Sequence, residues 1–159
     1  MPKSKSPWER AYDSVRTRNQ LILRKFGWGA EKLGLFGITT VSLLGTKEQF
    51  KSHIEGGFYG SKMSWDRFGK GRHCWQVDHI RPVSNFDGDI TMIKFYFSLS
   101  NLQPLWYCHN MAKSNLEPAS YGLSLEADKA LWKTENNSNR NEIVKSYLSA
   151  VTSMLKEIQ

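Results

Sequence analysis

Apolar residues recur along this chain at helical spacing for most of its length, and the exceptions cluster in one stretch. Trp8, Tyr12, Val15, Leu21, Leu23 and Phe26 fall at loosely helical intervals and predict a helix from Trp8 to about Phe26. Residues 1 to 7 ahead of it are polar and basic and read as a frayed tail. Gly27, Gly29, Gly34 and Gly37 then separate that helix from an apolar run at Ile38 to Leu44. Thr46 with Gln49 three residues on is a capping-box signature, so a second helix carries Phe50, His53 and Ile54 until Gly56-Gly57 stops it. His53 sits on the apolar face of that helix and reads as a packed core histidine rather than a ligand.

The periodicity changes after Met63-Ser64-Trp65 and the loop Phe68-Gly69-Lys70-Gly71-Arg72. Trp75 to Val77 is short and alternating, which predicts a strand, and Ile80-Arg81-Pro82 bends the chain away because the residue before proline favours extended backbone. Asp89 to Phe97 reads as an inserted helix with Ile90, Ile93 and Phe97 on one side. Asn101 to Leu105 is a second short strand, with Pro104 tolerable only at an edge or end. Trp106 to Ser114 then reads as a helix that puts Asn110 and Lys113 on one face. Beyond it come a packing helix at Glu117 to Lys133 and a polar linker at Thr134 to Arg140. An amphipathic segment follows at Asn141 to Ile158, striped by Val144, Leu148, Val151, Leu155 and Ile158. Docking on the parent domain is the default for that stripe, and dimerisation the alternative.

Composition adds bounds. At 159 residues, 40% apolar and 13% aromatic, the chain is long enough for one domain with its own core. It has no run of about 18 apolar residues to span a membrane, and its polar start lacks the apolar core of a secretion signal. Two cysteines, Cys74 and Cys108, make no disulfide framework, so a reduced, cytoplasmic protein is expected. Structural zinc is not expected, since His73 and Cys74 on one strand point to opposite faces. The net charge is +7 and unevenly placed: residues 1 to 81 hold 15 Lys and Arg against 7 acids, and residues 82 to 159 hold 7 against 8. A positive lobe at or before residue 81 suits a polyanion, and DNA is the expected partner. Arg10, Arg16, Arg18, Arg24 and Lys25 on the first helix fit either a helix along a DNA backbone or an ordinary solvated face.

The candidate chemistry lies in the alternating stretch. Asp78 and Asn110 offer hard oxygens for one divalent cation, His79 offers a base that titrates near neutrality, and Asn101 can hold the loop or the imidazole in place. Those parts suit metal-assisted hydrolysis of a phosphodiester. Lys70 and Arg72 before the strand, Arg81 beside His79, and Lys113 three residues beyond Asn110 are the candidate DNA contacts.

The joined pattern Asp78-His79-Ile80-Arg81-Pro82, Asn101-Leu102-Gln103-Pro104-Leu105-Trp106 and Asn110-Met111-Ala112-Lys113 resembles the HNH, or ββα-metal, endonucleases, closest to the small stand-alone HNH proteins common in bacteriophage genomes. The resemblance is densest over residues 75 to 113, with a weaker echo from Leu43-Leu44-Gly45 to Met63-Ser64-Trp65. It implies an α+β fold, a mainly helical single domain built around a ββα-metal motif with helices before and after it. The corresponding organisation is a basic helical segment at 1–40, a nuclease core at 41–116 and a helical extension at 117–159. It also implies His79 as general base, Asn101 as orienting group, and Mg²⁺ or Mn²⁺ on Asp78 and Asn110. The products would be a 5′ phosphate and a 3′ hydroxyl. His109 directly precedes Asn110 and leaves the register of the last ligand open, although Asn-x-x-Lys matches the family frame. Gln76 departs from relatives that carry histidine two positions before the acid. Rival readings are a DNA-binding accessory protein with a degenerate site and a toxin nuclease. The choice between monomer and homodimer, on which nicking or double-strand cleavage depends, stays open.

Overall fold

A computed structural model of the chain describes residues 2–60 and 62–113. The segments expected at 117–133, 134–140 and 141–158 lie outside the described residues.

The first helix starts earlier than its apolar spacing indicates, because Ser6 and Glu9 form a reciprocal cap. Ser6 Oγ accepts the Glu9 amide at 3.4 Å, and the Glu9 carboxylate accepts the Ser6 amide at 2.9 Å. Pro7 suits the first helical position, where its missing N–H costs nothing. Helix α1 (Pro7–Lys25) therefore includes part of the expected tail, and Lys5 just before it pairs with Asp13 at 2.6 Å. Its buried row is Ala11, Val15, Asn19 and Leu23 with Tyr12 alongside, whereas Leu21 and Phe26 stay largely exposed.

The glycine-rich stretch is not all loop. It holds a short helix, α2 (Ala30–Gly34), followed by α3 (Thr40–Leu44) with Thr39 as its cap. Helix α4 (Lys47–Gly56) carries the expected capping box, Thr46 with Gln49, and buries Phe50 and Ile54. The Tyr12 and Phe50 rings meet edge-on at 5.3 Å, so α1 and α4 share one core. His53 is half-buried on α4, and its Nε2 pairs with the Leu102 carbonyl at 2.9 Å.

Strand β1 (Trp75–His79) pairs antiparallel with β2 (Leu102–Trp106), in a register that sets Trp75 opposite Trp106, Asp78 opposite Gln103 and His79 opposite Leu102. Trp75 is fully buried, ringed by Phe58, Trp65 and Phe68 at 5.0 to 5.2 Å between centroids, and its indole N–H reaches the Ser64 carbonyl. Between the strands the expected helix at Asp89 to Phe97 resolves into a 3₁₀ turn and α5 (Ile93–Phe97), with Ile93 and Phe97 buried as the spacing indicates. Helix α6 (Tyr107–Lys113) follows β2 directly. The described residues are thus an α+β fold, helices packed around a two-stranded antiparallel sheet. Among them no helix is long and apolar enough to cross a membrane.

Candidate functional site

Alternation along β1 sorts the candidate residues. Successive strand residues point to opposite faces, so Gln76 and Asp78 share one face while His79 belongs to the other. Helix α6 covers the first. Asn110 donates its amide hydrogen to Gln76 Oε1 at 2.8 Å, and the Lys113 ammonium stands 3.2 Å and 3.4 Å from the two Asp78 carboxylate oxygens. Lys113 also donates to the His79 carbonyl at 2.9 Å, and Gln103, the cross-strand partner of Asp78, donates to Asp78 Oδ2 at 2.9 Å.

This corrects the expectation for Lys113. The spacing places it on the face of Asn110, but that face turns inward, and the side chain is 0% exposed rather than free to meet a phosphate. Breaking such a buried pair by removing one partner leaves an uncompensated charge, so Lys113 ties α6 to β1. His109, the alternative to Asn110 as the last ligand, is also placed. His109 is buried, stacks on Tyr59 with centroids 5.8 Å apart, and its Nδ1 pairs with the Tyr59 hydroxyl at 2.7 Å.

The His79 imidazole meets α1. Its Nε2 lies 3.1 Å from Asn19 Oδ1, and 5% of the residue stays exposed. Burial, with the positive charges of Arg18 and Lys113 nearby, pushes the imidazole down to about 3, which corrects the expectation of a base titrating near neutrality: at ordinary pH the ring is neutral and holds a proton only weakly. Asn19 is the residue that sequence reasoning passes over. Its signal is a polar side chain on the four-residue row Ala11, Val15, Leu23, which is otherwise apolar.

Asn101 binds the segment that leaves β1. Its Oδ1 accepts the Arg81 amide at 2.9 Å, its Nδ2 donates to the carbonyls of Arg81 and Tyr96 at 2.9 and 2.8 Å, and its carbonyl accepts the Ile80 amide at 2.8 Å. A side chain that accepts and donates to the same backbone residue fixes that residue as a strand neighbour would. The turn after His79 is therefore locked by a residue 20 positions later. The Arg81 guanidinium lies over the Phe95 ring at 3.5 Å and is half-buried. Lys70 and Arg72 are exposed on the loop before β1, beside Gly69 and Gly71 at φ 155° and 136°, backbone that other residues rarely adopt.

Asp78 and Asn110 carry oxygens of the kind a hard divalent cation takes, and the Asp78 carboxylate is already engaged by the Lys113 ammonium and the Gln103 amide. The Asp78 carboxylate and the Asn110 amide lie on facing elements, and Mg²⁺ commonly takes one or two protein oxygens and keeps its waters. With the Asn110 NH₂ turned to Gln76, Oδ1 remains as the donor for a cation. Lys113 already balances Asp78 with positive charge. Comparison of the chain with family models, curated proteins and solved structures finds no match.

Proposed function

We propose that this chain is a metal-dependent DNA endonuclease of the HNH kind, with β1, β2 and α6 as its ββα-metal unit. The observation that carries the reading is the Asn101 clamp. An asparagine that the motif casts as an orienting group makes two side-chain hydrogen bonds to the Arg81 backbone in the turn that follows His79, and a third to the Tyr96 carbonyl of α5. In this reading His79, neutral at working pH, takes a proton from the water that attacks phosphorus. Mg²⁺ or Mn²⁺ held by Asp78 and Asn110 would neutralise charge on the phosphate and the leaving 3′ oxygen. Exposed Lys70 and Arg72 meet the DNA backbone.

A second reading, a DNA-binding protein that does not cut, draws support from the engagement of the Asp78 carboxylate by Lys113 and Gln103. Supercoiled plasmid incubated with the protein and Mg²⁺ or Mn²⁺ separates the two. Conversion to open-circle or linear DNA that needs the metal, and that His79→Ala loses while retaining a gel shift, is the expected result. Intact plasmid under both metals with the gel shift retained would favour the non-cutting protein.

A further inference from the structure

We propose that Asn19 of α1 is a positioning residue for His79: its side-chain oxygen holds the ring as the Nε2–H tautomer and leaves Nδ1 to take the proton. The catalytic half of this rests on the endonuclease reading above; the tautomer does not.

Asn19 lies 60 residues from His79 in sequence and is only 4% exposed, on a row where Ala11, Val15 and Leu23 are apolar. An amide is costly to bury unless its donor and acceptor are both paired. Asn19 is paired on one side only, through Oδ1 to His79 Nε2 at 3.1 Å, while its buried Nδ2 has no partner among the described residues. A residue chosen for packing at this position would be leucine. A buried donor left unpaired calls for a reason beyond stability, and the bond to the imidazole supplies one.

The chemistry of the contact is directional. An amide oxygen only accepts, so the nitrogen facing it carries the hydrogen. In the neutral ring, the form from which any general base starts, the lone pair then resides on Nδ1. No second hydrogen bond to the ring is made among the described residues, so among them Asn19 selects the tautomer. Which imidazole nitrogen carries the proton is set by the bond its partner makes, and losing such a support commonly lowers activity about ten- to hundredfold.

The test uses the full chain, labelled with ¹⁵N-histidine, and reads the His79 ring in long-range ¹H–¹⁵N spectra, with His79→Gln as the assignment control. Wild type is expected as the Nε2–H tautomer. Asn19→Leu should convert it to a mixture and lower the single-turnover cleavage rate on saturating DNA about ten- to hundredfold, with DNA affinity within about twofold. Asn19→Asp, which restores the acceptor, should restore the tautomer. An Nδ1–H ring in wild type, or a tautomer unmoved by Asn19→Leu, overturns the proposal. A chain that never cleaves DNA but whose tautomer follows Asn19 upholds the positioning and removes the nuclease. Full cleavage by an Asn19→Leu chain with an unmoved tautomer does the reverse.

Discussion

His79 is where burial and chemistry meet, and its surroundings fix how the fold responds to acid. In the unfolded chain the imidazole titrates at its ordinary 6.5, and in the fold burial, Arg18 and Lys113 hold it down to about 3. Between those values the unfolded chain binds a proton that the folded chain refuses, so stability falls as pH drops through that window. Above 6.5 the penalty is absent; within the window each pH unit costs about 1.4 kcal/mol. Urea unfolding at several pH values between 7 and 4.5 should therefore show wild type losing stability more steeply than His79→Gln, by about that amount per unit. Parallel curves for the two proteins would place the imidazole in water rather than under α1. The same residue gives the second expectation. On the endonuclease reading, His79→Ala should abolish cleavage while leaving DNA affinity nearly intact, since an imidazole only 5% exposed makes no phosphate contact; a gel shift beside plasmid cleavage reads both.

Helix α6 and strand β1 depend on each other through Asp78–Lys113 and Gln76–Asn110. Replacing Lys113 by Ala strands a carboxylate that is 8% exposed, and loss of one member of a buried pair costs about 3–5 kcal/mol. Lys113→Ala should accordingly unfold at lower denaturant, with the salt dependence of DNA binding unchanged in whatever fraction stays folded. Asp78→Asn in the same chain should recover part of the loss. If Lys113→Ala is stable and the salt slope falls, the lysine faces DNA after all. Much at this scale is legible in sequence, because it is local. The Thr46–Gln49 cap, the α5 row Ile93 and Phe97, and the strand–strand–helix order from residue 75 all follow from neighbours within a few positions. What spacing cannot carry is which element covers a given face. Asn110 and Lys113 do share a face, but only the packing of α6 against β1 turns it inward. Asn19 reaches His79 because α1 folds over the sheet, a contact between segments that no local pattern links. The α2 helix escaped for a different reason: its glycines signal breakage, while Leu33 packing into the core outweighs them.

Across the whole molecule the charge is lopsided, and the fold decides which part of it can act at a distance. Of the cations in the basic half, Arg10, Arg18, Arg24 and Lys25 on α1 and Lys70 and Arg72 on the loop before β1 are exposed, whereas Arg81 lies half-buried over Phe95. Each phosphate contact made by an exposed cation releases about one counterion, which contributes about 0.9 to the slope of log affinity against log salt on duplex DNA. Lys70→Ala with Arg72→Ala should therefore flatten that slope by about two units and weaken binding most at low salt, measured by fluorescence anisotropy from about 50 to 200 mM salt. The single-turnover rate on saturating DNA should stay near wild type, because neither residue touches Asp78, His79 or the Asn101 clamp. Opposite behaviour, an unchanged slope with a lower rate, would move the DNA track off this loop and onto α1. There Arg18, the neighbour of Asn19 whose charge already bears on the imidazole, becomes the next cation to remove.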